Sequence, residues 1–430
     1  MRHWLLLGIA ALFPLKLLAQ QPEPVKPRIL VSTDIGGSDP DDNQSMAHLM
    51  MYSDRFEIEG VVSSPSYGGG SKQELLRMID LYEKDYPKLA AHNPNLNTPA
   101  YLRSVSKQGY RGIAPFRGYA SSTEGSEWIV QCARKKSDKM LWVLVWGGLE
   151  DLAQALHDAP DIMNKIRVYW IGGPNKKWGA NSYSYIASTF PDLFFIENNA
   201  SYRGFFSNTG SRSRFNSNNY FANYIKSWGN LGDDFDNNHY KGNVKMGDTP
   251  SLLYMMDGDP ENPLKDSWGG RFERFTSSPR FVYTQPTTLK DTAHVYALLE
   301  FHFKGPAINI PIGSPCFDMT ISASFGHNTW QGYYLGSGEY AIRYAHKQAG
   351  TFTYKLSSSI PALNDIQGVL VVDNKWPGPL MPSSYKLGQN WYTDVASPEA
   401  FDNGWQGAKT VRDHREEVLS DWAKRWEWLK

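Results

Sequence analysis

Five short apolar runs, residues 29–31, 57–62, 140–146, 168–171 and 194–196, alternate with stretches whose apolar residues recur at helical spacing. Met46, Leu49 and Met50, with Phe56 beyond them, form one inward face; Leu75, Leu76, Ile79 and Leu81 form another within residues 71–82, and residues 149–156 form a third. Strand, helix and strand in that order build a parallel sheet, because the crossover helix must pack back on the strands it joins. The repetition predicts a doubly wound, mainly parallel α/β fold. Such sheets bind ligands beyond the carboxyl ends of their strands, so the loops after the apolar runs are where function is expected.

From about residue 292 to 373 the pattern changes to short alternating runs, such as Met319-Thr320-Ile321-Ser322-Ala323 and Tyr340-Ala341-Ile342-Arg343-Tyr344, separated by glycine-rich turns. That pattern predicts an antiparallel β-sandwich. Near the end of the chain Val411, Val418, Trp422, Trp426 and Leu429 share one face of a helix and need a partner surface, which we place on the first domain. A chain of 430 residues exceeds one ordinary core. The expected division is a leader at 1–19, a Pro-rich linker at 20–27, an α/β domain at 28–290, an inserted or appended β domain at 291–375, and a C-terminal segment at 376–430.

Arg2 and His3, the apolar residues 4–13 and Leu17-Leu18-Ala19 read as a secretory signal peptide, which implies a periplasmic or extracellular protein. Lys16 interrupts the apolar run, so a spanning helix of roughly 20 residues cannot form there, and no stable membrane insertion is expected. The two cysteines, Cys132 and Cys316, are far apart and are expected as free buried thiols. Lys and Arg number 44 against 44 Asp and Glu, which removes the electrostatic basis for binding nucleic acid or an anionic membrane. Any partner is recognised locally, and a homo-oligomer stays open. Fifteen Trp, 24 Tyr and 20 Phe fit either large cores or surfaces that bind sugar rings. Trp146, Trp170, Trp178 and Tyr67 near strand ends, and Trp330, Tyr333 and Tyr334 in the β domain, are the aromatics considered for sugar contact.

The informative loop is Thr33-Asp34-Ile35-Gly36-Gly37-Ser38-Asp39-Pro40-Asp41-Asp42, with four carboxylates in nine positions after the first apolar run. Like charges so close raise each other's pKa and destabilise the fold unless a cation or hydrogen bonds offset them. Helix capping accounts for one or two of them, Asp41 and Asp42, but not for Asp34 at the strand end. All-oxygen donors suit a hard cation, Ca2+ ahead of Mg2+, and the glycines let backbone groups approach it.

These residues resemble the Asp-rich calcium motif of the nucleoside hydrolases. Val31-Ser32-Thr33-Asp34-Ile35-Gly36-Gly37 with Asp39-Pro40-Asp41-Asp42 is more similar to the secreted nucleoside-hydrolase-like branch, the domain of the Sde182-type cellulose-binding proteins (the DUF1593 family). Further matching blocks are Trp170-Ile171-Gly172-Gly173-Pro174-Asn175, Gly247-Asp248-Thr249-Pro250-Ser251, Ser267-Trp268-Gly269-Gly270-Arg271 and Gln406-Gly407-Ala408-Lys409-Thr410-Val411. The β domain resembles the immunoglobulin-like module that accompanies many secreted glycoside hydrolases, in Gly336-Ser337-Gly338-Glu339-Tyr340 and Gly350-Thr351-Phe352-Thr353-Tyr354.

The resemblance implies that Asp34 binds calcium and takes a proton from the attacking water, that Asp42 and Asp248 complete the metal shell, and that the loop Gly147-Gly148-Leu149-Glu150 offers it a backbone carbonyl. It implies sugar contacts from Asp41, Glu197 and Asn199, with Asn175 and Asn181 as further candidates. The implied reaction is hydrolysis of an N- or O-glycosidic bond, in a nucleoside, a small saccharide or a polysaccharide fragment, by water whose pKa the metal lowers. Three departures stand beside it: Ser32 where the motif has another Asp, Ser38 and Asp39 lengthening the spacing, and Gly247 where some of those enzymes place a His. The competing expectation is a non-catalytic polysaccharide-binding protein that keeps the metal site.

Overall fold

The computed structural model describes residues 26–37, 41–66, 70–206, 215–236, 241–322 and 328–430. The expected signal peptide, Ser38, Asp39 and Tyr67 lie outside the described residues. Six parallel strands form the first sheet: β1 (Arg28–Thr33), β2 (Glu57–Ser63), β3 (Ser106–Gln108), β4 (Leu141–Val145), β5 (Ile166–Ile171) and β6 (Phe195–Asn198), in the spatial order β3-β2-β1-β4-β5-β6. The chain turns one way from β1 and the other way from β4. The topological switch point, where such sheets open a crevice, therefore falls between the carboxyl ends of β1 and β4.

Two later strands widen this sheet. Trp391–Asp394 pairs parallel with β6, and β7 (Phe272–Arg274) pairs antiparallel with Trp391–Asp394. The chain thus leaves the first sheet after β7 and re-enters it at Trp391. The intervening residues supply a second sheet of eight strands, antiparallel except where Thr292–His294 meets Gln367–Asp373 and Arg280–Tyr283 meets Leu298–Lys304.

Strand alternation divides the packing. Ile29 and Val31 face one apolar cluster, which also holds Met46, Met50, Leu75 and Ile79, while Leu30 faces the other. Val411, Val418, Trp422, Trp426 and Leu429 are buried in the first of these clusters, where Trp422 meets the His48 ring edge-on at 5.2 Å. Each such side chain stabilises the fold by about 1.5–3 kcal/mol. The second cluster continues from Leu30, Val143 and Val145 into Phe301, Trp330 and Tyr344 of the second sheet.

This continuity corrects part of the aromatic reading. Trp330, Tyr333 and Tyr334 are buried rather than displayed; Trp330 stacks on Trp178 at 5.5 Å and Tyr333 lies beside Phe116. Trp146 and Trp170 are likewise enclosed, their indole nitrogens donating to Ser251 Oγ (2.6 Å) and to the Gly147 carbonyl (2.9 Å). Large rings supply the most apolar area per residue, so they were drawn into the joint between the sheets. Both cysteines are free; Cys132 is buried, whereas Cys316 is only half-buried.

Candidate metal and sugar site

The site is assembled from three loops at the switch point. Asp34 directly follows β1, and its carbonyl accepts from Gly37 N (3.0 Å) in a tight turn that holds Gly36 at a left-handed φ of 83°. Helix Asp41–Met51 then begins with Asp41 and Asp42 in its first turn, where the exposed N–H groups favour negative charge. Gln44 of that helix grips the third loop: its Oε1 accepts from Lys245 N (2.8 Å) and Met246 N (3.1 Å), and its Nε2 donates to Asn243 O (2.8 Å). This loop ends at Asp248, the residue that immediately precedes helix Thr249–Met256.

One carboxylate oxygen from each of Asp41, Asp42 and Asp248 lies within 4.8 Å of the others, and all three residues are buried. Asp42 is held well above the ordinary carboxylate range, first by burial and then by the charges of Asp248, Asp34 and Asp41; the Thr33 hydroxyl, which donates to it, opposes that shift. Asp34 stands outside the tight trio but is felt by Asp42, and it is half-buried. It lies hard against the loop after β4: a methyl group at Gly147 would come 2.7 Å from the Asp34 Cβ, so only glycine fits there.

Lys245 reaches in from the third loop, its Nζ 3.1 Å from Asp41 Oδ2 and 5.1 Å from the Phe206 ring. A methyl group at Gly247 would meet the Asp41 carboxylate, so a side chain at 247 would require Asp41 to turn away. The pKa of the Tyr202 hydroxyl is raised by burial, lowered by Arg203 and Lys245, and raised again by Asp41 and Asp248. Lys245, Phe206 and Tyr202 were not singled out in the sequence. The only signal there was a lysine two positions before the Gly247-Asp248 block.

Beyond Gly147 the backbone threads between Asp34 and Glu150. Glu150 opens helix Glu150–Asp158, accepts from Ser66 Oγ (2.8 Å), and is pushed up to about 8 by burial. Its Oε1 has no hydrogen-bond partner among the described residues, and the same is true of Asn181 Oδ1. Both residues meet Ala114, whose carbonyl accepts from Asn181 Nδ2 (2.9 Å). In the loop itself the Gly147 carbonyl accepts from Trp170, and that of Leu149 from Ala153 N. Asn175 donates to the carbonyls of Trp146 (3.2 Å) and Ile171 (2.9 Å), bracing the ends of β4 and β5.

Glu197 and Asn199 turn inward. The Glu197 carboxylate takes Lys176 Nζ at 2.7 Å, the Tyr183 hydroxyl at 2.6 Å and Asn199 Nδ2 at 2.9 Å, while Asn199 Oδ1 accepts from Gly173 N. Both side chains are thus engaged by internal partners in this structure.

The fold and this site define a nucleoside-hydrolase-like protein, with an α/β parallel sheet and a separate, mostly antiparallel β-sheet domain. The chain belongs to the family described as cellulose-binding Sde182, nucleoside hydrolase-like domain, which matches residues 28–272. Residues 292–359 match a domain of unknown function, DUF5060. Among solved structures, a nucleoside hydrolase-related protein from Saccharophagus degradans, associated with carbohydrate metabolism, is 19% identical with a TM-score of 0.50, over 82% of this chain and 100% of that one. An inosine-uridine preferring nucleoside hydrolase from Bacillus anthracis is 15% identical with a TM-score of 0.39, over 60% of this chain and 87% of that one. No curated protein sequence matches. No helix among the described residues is long and apolar enough to cross a membrane.

Proposed function

We propose that this protein is a secreted, calcium-dependent hydrolase of glycosidic bonds, acting on a saccharide, a nucleoside or a polysaccharide fragment. The observation that carries the reading is the convergence of Asp34, Asp41, Asp42 and Asp248 at the switch point of the sheet. The donor set fits a hard divalent cation: all ligating atoms are oxygens, they are buried together, and the crowding that raises the Asp42 pKa is the condition a cation relieves. Asp42 and Asp248, with Asp34 and a backbone carbonyl of the 147–150 loop, would hold it. Bound there, such an ion supplies Lewis acidity toward water and sugar hydroxyls. Asp34, half-buried beside Gly147, is placed to take the proton of the attacking water. Asp41, its charge balanced by Lys245, accepts from a sugar hydroxyl. Glu150 Oε1 and Asn181 Oδ1 are acceptors to which further hydroxyls can donate. We assign residues 28–290 and 376–430 to the hydrolase-like unit, 291–375 to an immunoglobulin-like module, and 1–19 to the export signal.

Two observations favour a second reading. Lys245 already pairs with Asp41, and position 247 carries a glycine, which offers no side chain to protonate a leaving group. A non-catalytic polysaccharide binder fits these two facts and the family's cellulose-binding description. The two readings separate in a screen of nucleosides and plant glycans with Ca2+, comparing wild type with Asp34→Asn. The hydrolase reading expects turnover that falls about 10²–10⁴-fold in the variant, the ordinary contribution of a general base. Glycan binding without turnover in the wild type overturns it.

A further inference from the structure

Lys176, Glu197 and Asn199 are fully enclosed, and hydrolysis at the carboxylate site makes no use of them. Glu197 Oε1 accepts from both Lys176 Nζ (2.7 Å) and Asn199 Nδ2 (2.9 Å), so one carboxylate oxygen bridges an amine and a side-chain amide. Tyr183 supports the carboxylate from its other side, donating to Oε2 (2.6 Å). Aromatic rings cover the amine, whose Nζ lies 3.7 Å from the centre of the Tyr183 ring and 4.5 Å from that of Trp376. Burial lowers the Lys176 ammonium to about 8, against the pull of Glu197, which brings the neutral, nucleophilic amine within reach.

The Asn199 amide is fixed and polarised. Its Oδ1 accepts from Gly173 N (3.0 Å), and its own backbone N–H donates to Asp394 Oδ2 (3.0 Å). Gly172 passes so near that a methyl group there would come 2.5 Å from Oδ1, so the bare backbone is what lets the chain close on this oxygen. A backbone N–H aimed at a carbonyl oxygen stabilises the negative charge that develops when the carbonyl carbon is attacked. The Gly172-Gly173 pair of the 170–175 block thereby acquires a role that the metal and sugar contacts do not give it. Amine, proton-carrying carboxylate and polarised amide are the three parts that amide exchange needs.

We propose that Lys176 and Asn199 condense in the folded chain into a side-chain amide bond that ties together the segments following β5 and β6. Starting from the ion pair, Nζ gives one proton to Glu197 and its lone pair then forms the bond to Asn199 Cγ, while the carbonyl electrons move onto Oδ1 against the Gly173 N–H. Glu197 passes its proton to Nδ2 and takes a second from Nζ; the carbonyl re-forms, the Cγ–Nδ2 bond breaks and ammonia leaves. Glu197 is left neutral and the lysine becomes an amide, so two buried charges vanish and no oxidant or cofactor is consumed. The inference is independent of the hydrolase reading, and turnover or its absence does not bear on it. The test is intact-mass spectrometry and peptide mapping of the purified full chain, which requires no variant to fold. Wild type is expected to be lighter than its sequence by about 17 Da, with a branched peptide joining Lys176 to Asn199. That peptide assigns the loss, because an amino-terminal glutamine that cyclises also releases ammonia. Glu197→Gln is expected to restore separate, unmodified peptides, and Asn199→Asp to form the link with a loss of about 18 Da, since water then leaves instead of ammonia. Wild type whose Lys176 and Asn199 lie in separate peptides of unchanged mass overturns the proposal. A link that forms equally in Glu197→Gln overturns the proton transfer assigned to Glu197.

Discussion

Glu197 and Asp42 are both buried carboxylates of the first domain, yet their surroundings differ in kind. Glu197 is surrounded by donors: a fully enclosed ammonium from Lys176, a phenol from Tyr183 and an amide from Asn199. Asp42, among the described residues, has the Thr33 hydroxyl and the charges of other carboxylates, while the Lys245 ammonium reaches Asp41 instead. A buried charge that the protein itself satisfies belongs to the architecture. Buried charges of one sign that converge hold free energy that a ligand can release. Both arise from polar residues after strands, so the contrast comes from packing and not from residue type.

The strongest way to break this contrast is to remove the internal cation. Lys176→Met leaves Glu197 uncompensated in a fully buried place, which costs about 3–5 kcal/mol. Denaturant unfolding reads that loss, and any stabilisation by Ca2+ is expected to survive it. A loss below about 1 kcal/mol would mean that the Glu197 network is not the structural element described here.

The next effect is the mirror image. Ca2+ at a hundredfold excess over its Kd is expected to stabilise the protein by about 2.7 kcal/mol, read as a rise in the unfolding midpoint that a chelator reverses. Asp248→Asn is expected to abolish that response and, without metal, to be no less stable than wild type, because it relieves the crowding on Asp42. A metal-free Asp248→Asn protein clearly weaker than wild type would place the cluster with the Glu197 network.

The two regions also differ in how far they could be read from the sequence. Strands β1, β2, β4, β5 and β6 announce themselves as apolar β-branched runs, and the carboxylate loop by its charge density. Strands β3, β7 and Trp391–Asp394 are three or four residues long and owe their β character to neighbours already in place, so nothing local marks them. The same limit applies to function. Asp34, Asp41 and Asp42 stood out because like charges in a cluster are costly anywhere in a fold, whereas Asp248, distant in sequence, was reached only through the family resemblance. Glu197 looked equally polar, and only Lys176 packing under it, far from it in sequence, assigns it to the interior. Composition counted the aromatics but could not separate the enclosed Trp330 from the displayed Phe401; that depends on which rings the two sheets close upon.

Glu150 lies between the two regions and provides the finest test. Ser66 donates to one oxygen of its carboxyl and the backbone N–H groups of Glu150 and Ala114 favour its charged form, yet burial outweighs them and pushes its pKa to about 8 from the usual 4.5. Between those values the folded protein keeps the proton and the unfolded chain releases it. Stability is therefore fully present below about pH 4.5 and is lost as pH rises through 8, by at most about 1.4 kcal/mol per unit. Glu150→Gln keeps an acceptor for Ser66 and carries no titrating proton, so its unfolding free energy between pH 6 and 7 is expected to be flatter than that of wild type by about 1 kcal/mol. Ca2+ or a bound saccharide should reduce the wild-type slope as well if hydroxyls or charge reach Oε1. A wild-type slope that matches the variant with and without ligand would put Glu150 among the satisfied carboxylates, beside Glu197.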